Sequence, residues 1–435
     1  MQIETLGHAA LVLSTDDGRP LLLTDPWLIG SCYWRSWWLE NYPSRAAIER
    51  LKGARYCYLT HDHPDHFHTP SVRKLGDGPE YLTPSFMHDR IGAYLREHGQ
   101  RSRQLAAGEW HGLGTGVSIC SIPCFGDDSA LLIDAPEAVI VNLNDARPSV
   151  LQLRAIARFV RERGAGKRKV ALCSYSSAGI AHSCFREGRR LTLVDNTTYV
   201  RYASWLCRYL GADFFMPFAS QVVFRRDDTR WANAFKVRYA DLRQHWSARR
   251  TQLLPPYSTL DLGSGEHRAQ DEREYLRDEA YIAARTREQL QAERVCVFDA
   301  QDERLLQDKL RSAGWHSLWM LSPRGLGFDL GDVQLTYDPW TRRVTRGRAR
   351  GSIVLALPKQ ALKDVLHTGF FADLCIPMFT QVHVDRFTDP RVAVALFMDL
   401  LLHDIGATRD LHSLMRWSRH NARVHLSAVH GLPSG

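Results

Sequence analysis

Thr60-His61-Asp62-His63-Pro64-Asp65-His66 places three histidines and two aspartates within seven residues. Imidazole and carboxylate are ligands for zinc, iron and manganese, and a cluster of them at the end of a buried strand can hold two ions close together. The apolar Tyr56-Cys57-Tyr58-Leu59 just before it reads as that strand. From alternate positions of the following turn, His61 and His63 are placed to meet one ion, while Asp65 and His66 face a second. Pro64 stiffens the turn. A dense polar run can also be a solvated loop, but this density directly after a buried strand favours a metal site.

Around the motif, the first part of the chain reads as successive strands: Leu11 to Leu13, Leu21 to Thr24, Tyr56 to Leu59, Val117 to Ile122, Leu131 to Ile133 and Val139 to Leu143. Asp16-Asp17-Gly18 has hairpin-turn composition. Apolar residues at three- and four-residue intervals predict helices over Val150 to Arg163 and Thr198 to Leu210, with buried strands at Val170 to Cys173 and Phe214 to Met216. Strands first, then alternation with helices, implies sheets covered by helices. The expectation is an α/β main domain over residues 1–245. A linker and charged helical segment follows over 246–330, starting near Leu253-Leu-Pro-Pro-Tyr-Ser258 and Gly263-Ser-Gly265. A small α+β unit over 331–435 completes the chain, with strands at Val333 to Tyr337 and Ser352 to Leu357 and an apolar helix at Val392 to Leu402.

The 435 residues are 44% hydrophobic and 24% charged, the balance of a folded globular protein rather than a disordered or fibrous one. The net charge of +8 suits an anionic small molecule such as a nucleotide or coenzyme A ester. Nucleic acid is not expected, because the arginines are dispersed among acidic residues and no zinc-finger or RNA-binding spacing occurs. Nine scattered cysteines lack paired metal-binding spacing and fit a reducing cytoplasm. The opening stretch reads as a strand rather than a signal peptide, and no apolar run is long enough to span a membrane. Phosphate-loop, nucleophile-elbow and dinucleotide fingerprints are all missing.

The H-x-H-x-D-H motif, with Leu6-Gly-His8 before it, resembles the metallo-β-lactamase superfamily. Thr24-Asp-Pro-Trp-Leu-Ile-Gly30, Trp37-Trp-Leu39, Val141-Asn-Leu-Asn-Asp145 and Pro217-Phe-Ala219 resemble the metallo-β-lactamase-like part of CMP-N-acetylneuraminate hydroxylase and its bacterial relatives. The resemblance implies an αββα sandwich holding two divalent ions, iron or zinc with manganese tolerated, on His61, His63, Asp65 and His66. It implies that Asp145 bridges the ions, although Asp145 could instead cap the helix beginning near Pro148. The superfamily adds one histidine to each metal, and neither stands at its expected place. After Ser121-Ile-Pro-Cys-Phe125, Asp127 or Asp128 is the candidate replacement. Near Pro217-Phe-Ala-Ser-Gln221 only Ser220 and Gln221 stand, leaving His182 as the nearest substitute. His8 reads as an orienting residue rather than a ligand.

Two chemistries are compatible with such a site. The first is hydrolysis of an ester or thioester, acyl-CoA included, by water activated at the metals, with Asp65 orienting the water. The cluster Trp27, Trp34, Trp37 and Trp38 either roofs the site as an apolar acyl pocket or packs as core. The second is diiron oxygenation, which needs a separate electron-donor protein because the chain has no Rieske-type pairing of cysteine with histidine.

Overall fold

The computed structural model describes residues 1–176, 179–270, 276, 278–313 and 315–432. Strands buried along their whole length, such as Ala10–Ser14, Pro20–Thr24, Tyr56–Tyr58 and Ala138–Asn142, must be covered on both faces. They are central strands of two stacked sheets. The first sheet runs, edge to edge, through His267–Ala269, Ser258–Asp261, Gln2–Leu6, Ala10–Ser14, Pro20–Thr24, Tyr56–Tyr58, Glu80–Pro84 and Ser102–Leu105. The second runs through Gln252–Leu253, Phe214–Phe218, Arg168–Ser174, Ala138–Asn142, Asp128–Asp134, Val117–Cys124 and Trp110–Gly114.

Between the sheets lies a shared apolar core including Ile3, Leu13, Leu82, Ile119, Ile133, Ile140 and Met216. The outer face of the first sheet packs on Ile48, Leu51, Val72, Leu75, Ile91 and Leu95 from the helices Arg45–Leu51, Thr69–Leu75 and Arg90–Glu97. The outer face of the second packs on Ile156, Phe159, Val160, Leu206 and Leu210 from the helices Val150–Arg163 and Thr197–Leu210. This layering is the expected αββα sandwich. Pro20–Thr24, Tyr56–Tyr58 and Glu80–Pro84 are parallel in one sheet, and Ala138–Asn142, Arg168–Ser174 and Phe214–Phe218 in the other. Their carboxyl ends therefore open on common loops, where open α/β sheets bind ligands.

The boundaries expected from sequence need correction. The sandwich does not end at residue 245: Gln252–Leu253 pairs with Phe214–Phe218, and Ser258–Asp261 pairs with the amino-terminal strand. Gly263-Ser-Gly265 is the tip of a hairpin rather than a linker, and Asp261 accepts a hydrogen bond from the Ser264 amide. The α+β unit is built on a third sheet, ordered Arg189–Leu191, Cys184–Arg186, Gln381–Val384, Ile353–Ala356, Leu326–Asp329, Gln334–Asp338 and Arg343–Arg346. Its first two strands come from an insertion in the main domain, Cys184–Arg186 joining Gln381–Val384 in parallel. Its core starts at Phe298, well before residue 331. The last helix, Leu411–Gly431, returns to the sandwich, burying Ala428 in the core of the second sheet. Pairings between residues about 200 positions apart leave no local signal, which is why spacing alone misplaced these limits.

Candidate metal centre

The motif is held open by hydrogen bonds from both sheets. The Tyr58 hydroxyl lies 2.7 Å from Ser121 Oγ and 2.9 Å from Ser129 Oγ, and the Ser129 hydroxyl donates to the Thr60 carbonyl at 2.7 Å. Beyond Thr60 the chain turns, and the amides of His66 and Phe67 donate to the His63 carbonyl. Asp25, at the end of the neighbouring strand, is buried with a left-handed φ of 38°. It accepts from the Thr60 amide and hydroxyl, each at 2.8 Å, and lies 3.0 Å from His66 Nδ1. Such strain persists only where surrounding bonds over-determine it, and it clusters at functional sites.

Two groups of potential ligands result. His61, His63 and Asp145 offer donor atoms within 4.8 Å of one another, as do His8, Asp65 and His66. His61 Nε2 is 2.8 Å from His63 Nδ1, and the His61 and His66 rings are 4.1 Å apart. His66 Nε2 is 3.6 Å from Asp145 Oδ1 and 3.7 Å from Asp65 Oδ2, so the groups adjoin. Asp65 is oriented on both oxygens: the Tyr33 hydroxyl donates to Oδ1 at 2.6 Å, and His8 Nε2 is 3.2 Å from Oδ2.

The residues fit divalent ions. His66 Nε2 and Asp145 Oδ1 are buried without a hydrogen bond and face each other at 3.6 Å, a pair that a shared divalent ion would satisfy. Asp25, Asp65, Asp128 and Asp145 form ion pairs only with histidines among the described residues. Carboxylates whose ion-pair partners are histidines alone make a donor set that suits a divalent ion. Burial would raise the Asp65 carboxyl, yet His66 and His8 hold it well below the usual carboxylate range. Burial and then Asp145 push Asp128 up, whereas His66 and His61 outweigh desolvation and hold Asp145 at about 2. Burial, followed by the charge of His66, lowers His61 to about 3 and keeps it a neutral imidazole, the form that ligates.

His61, His63, Asp65, His66 and Asp145 thus converge. Asp145 is not the helix cap, since Ser149 caps Val150–Arg163 in a capping box with Gln152. Asp128 approaches His61 from behind, 3.4 Å from Nδ1, where it orients the ring. Asp127 turns away to Arg90 at 3.4 Å, and Arg90 also binds Asp62. His182 is buried, stacked on Phe235 at 5.1 Å, and belongs to neither ligand group. Trp27, Trp37 and Trp38 are buried at 0%, 4% and 2% exposure and pack as core. Trp34 packs on Phe379 and donates to Asp364. Sequence reasoning gave no role to Asp25 or Tyr33, and gave His8 an orienting role only. Asp373 was missed as well. It sits on the turn Phe371–Cys375 of the carboxy-terminal unit, where burial pushes its carboxyl up to about 7 against the opposing charge of His63. No motif marks it, because only tertiary packing brings that unit over the site.

The fold is an αββα sandwich of the metallo-β-lactamase type, with a histidine- and aspartate-rich candidate metal site at the ends of its strands. No family model matches the chain. It is similar to the inactive cytidine monophosphate-N-acetylneuraminic acid hydroxylase of Homo sapiens, 41% identical over 75 residues, which is 17% of this chain and 15% of the human protein. The hydroxylase of Pongo pygmaeus is equally similar over 75 residues, 12% of its length. The matched stretch thus spans less than a sixth of these relatives. Among solved structures, isothiocyanate hydrolase from Delia radicum gut bacteria aligns over 60% of this chain and 99% of its own, at 15% identity and a TM-score of 0.41. The metallo-beta-lactamase fold protein YhfI from Bacillus subtilis aligns over 59% and 98%, at 10% identity and a TM-score of 0.36.

Proposed function

We propose that the protein is a dinuclear metal-dependent hydrolase of an ester or thioester of an anionic small molecule, with acyl-CoA esters in that class. The observation that carries this reading is the pair of adjoining candidate ligand groups, His61/His63/Asp145 and His8/Asp65/His66, with His66 Nε2 and Asp145 Oδ1 facing each other at 3.6 Å without a hydrogen bond. Divalent ions held there would make water acidic enough to ionise near neutral pH and would polarise a carbonyl oxygen. The protein's own part is positioning. Asp25 orients His66, while Thr60 and Asp128 orient His61. Asp65, held by Tyr33 and His8, would orient an incoming water. No thiol competes as nucleophile beside the motif, since burial pushes Cys32 and Cys57 well above their ordinary range. With the tryptophans buried, the thioester reading rests on the positive charge and not on an apolar pocket. The proposed setting is the cytoplasm, with neither nucleic acid nor membrane as partner. No helix among the described residues is long and apolar enough to cross a membrane.

Oxygen chemistry at iron is the second reading, favoured by the local likeness to the hydroxylases and by the carboxylate-rich donor set. It requires a separate electron-donor protein. The two readings part in one assay. Protein loaded with zinc or iron should cleave activated esters or acyl-CoA without reductant. Inertness toward a broad acyl panel, together with reductant-dependent dioxygen uptake and a hydroxylated product, would establish the oxygenase instead.

A further inference from the structure

His8 belongs to the second candidate ligand group, and its turn adjoins the segment where the resemblance expects an outer histidine. The segment expected to supply it, Pro217 to Gln221, uses its polar side chains elsewhere. Ser220 Oγ accepts from the amides of Tyr175 and Ser176, and Gln221 bonds to the Pro217 carbonyl and the Ser220 amide. The same segment is tied to the turn carrying His8, for the Ala219 amide donates to the His8 carbonyl at 3.0 Å. Gly7 makes that turn possible. It has a φ of 56°, and any Cβ there would come within 2.7 Å of the Trp27 carbonyl oxygen. Trp27 and Trp37, with ring centroids 5.9 and 6.1 Å from the imidazole, wall His8 in and leave it facing Asp65 and His66.

We infer that His8 is a ligand of the second ion, taking over from the amino-terminal turn the place left empty at Ser220. This rests on the dinuclear reading above. Metal content should be measured on wild type, His8→Ala and His8→Gln, with the absorption of the cobalt-substituted forms as a second readout. Glutamine can still donate a hydrogen bond to Asp65 but is a poor ligand for a divalent ion, so it separates ligation from orientation. Two ions per chain in wild type and one in both variants, with about half the cobalt absorption lost, is the expected result. Two tightly held ions in His8→Gln would overturn the inference and leave His8 an orienting residue. Fewer than two ions in the wild type would instead overturn the dinuclear reading itself.

The carboxy-terminal sheet carries a separate feature. Its outer hairpin, Gln334–Asp338 and Arg343–Arg346, buries Leu335 and Tyr337 and turns Thr336, Asp338, Arg343 and Thr345 to the opposite face. The chain after the hairpin folds back along that face: the Thr336 hydroxyl donates to the Arg348 carbonyl and accepts from the Arg350 amide. Gly351 lets it approach, because a Cβ there would lie 1.9 Å from the Gly325 carbonyl oxygen. The result is a cleft of about 770 Å³ lined by Arg324, Arg343, Arg346, Arg348 and Arg350. Arg324 pairs with Asp385 and Arg346 with Glu303, whereas Arg343, Arg348 and Arg350 make no ion pair among the described residues. Asp338, the one carboxylate lining the cleft, is engaged by the Trp340 amide and the Thr341 hydroxyl.

Three exposed arginines that make no ion pair among the described residues line this one cleft, and guanidinium groups can meet a chain of phosphates in a bidentate manner. We propose that this cleft binds an oligophosphate group, either as a free anion or as the phosphate chain of a nucleotide. Calorimetric titration of the metal-loaded protein with tripolyphosphate and with ATP, in about 0.15 M salt to screen diffuse attraction, tests it against the Arg343→Gln/Arg348→Gln/Arg350→Gln variant. A saturable event weakened at least tenfold in the variant, with metal content unchanged, is expected. Comparable binding of both probes indicates a phosphate-only site, and tighter ATP binding a nucleotide site. Equal binding by wild type and variant, or no saturable event, would overturn the proposal.

Discussion

At the scale of single residues, the centre depends on partners that never touch an ion. Asp25 holds Thr60 and His66 together from a strained backbone position, so its loss should loosen the ligands while leaving them present. Asp25→Asn is expected to weaken metal affinity by roughly 10- to 100-fold, the usual effect of removing an orienting carboxylate, as read by competition with a chelator. Unchanged affinity would mean that Thr60 alone suffices. His61→Ala and His63→Ala should each remove one ion, and Asp145→Ala should disturb both, because Asp145 Oδ1 faces His66 across the boundary between the groups. An Asp145→Ala protein retaining two tightly bound ions would rule out a shared role.

At the scale of elements, the helix Val150–Arg163 was fully legible in sequence, but its cap was not. Asp145 and Ser149 are both good capping residues, and only the fold shows that Ser149 closes the helix while Asp145 is released to the site. Ser149→Ala should lower unfolding stability by about 1 kcal/mol in urea denaturation, and a change near zero would return the cap to Asp145 or to water. On the helix Arg391–Asp404, burial, with Lys309 and Arg409 nearby, lowers His403 to about 4. Its unfolded value is about 6.5, so the unfolded chain binds the proton more tightly. Stability from this group is complete above about pH 6.5 and declines as pH falls toward 4. His403→Gln should flatten that part of the stability profile, and an unchanged slope would place the dependence elsewhere.

At the scale of the whole molecule, buried charge links the helical segment to the sandwich. Arg226, with no exposed surface, binds Glu293 at 2.5 and 2.7 Å and donates to the Trp34 carbonyl. Removing Arg226 strands the buried Glu293 carboxylate, so Arg226→Met should cost about 3–5 kcal/mol, whereas Glu293→Leu should cost less because Arg226 keeps its pair with Asp228. The double substitution should recover a large part of this in a denaturation cycle, and strict additivity would show that the pair is not coupled. Because the motif draws hydrogen bonds from both sheets, chelation of the ions should lower the melting temperature of the whole sandwich, and metal should restore it. A melting temperature indifferent to chelator would mean that the metals add nothing to folding.

What the sequence by itself determined was local. The strand Tyr56–Tyr58, the helix Val150–Arg163 and the ligands within Thr60 to His66 follow from periodicity and from residues at most a few positions apart. Asp145, after the strand ending at Asn142, came from the resemblance to the metallo-β-lactamase superfamily and not from periodicity. Tertiary structure alone decided which distant groups complete the site. His8 reaches Asp65 across 57 positions, Asp25 reaches His66 across 41, and Asp373 arrives from the turn Phe371–Cys375 of the carboxy-terminal unit. It also decided that Cys184–Arg186 belongs with Gln381–Val384, and that the tryptophans are core rather than roof. The physical reason is that spacing encodes only which face of its own element a side chain occupies. Which faces meet is set by burial and pairing summed over the whole chain.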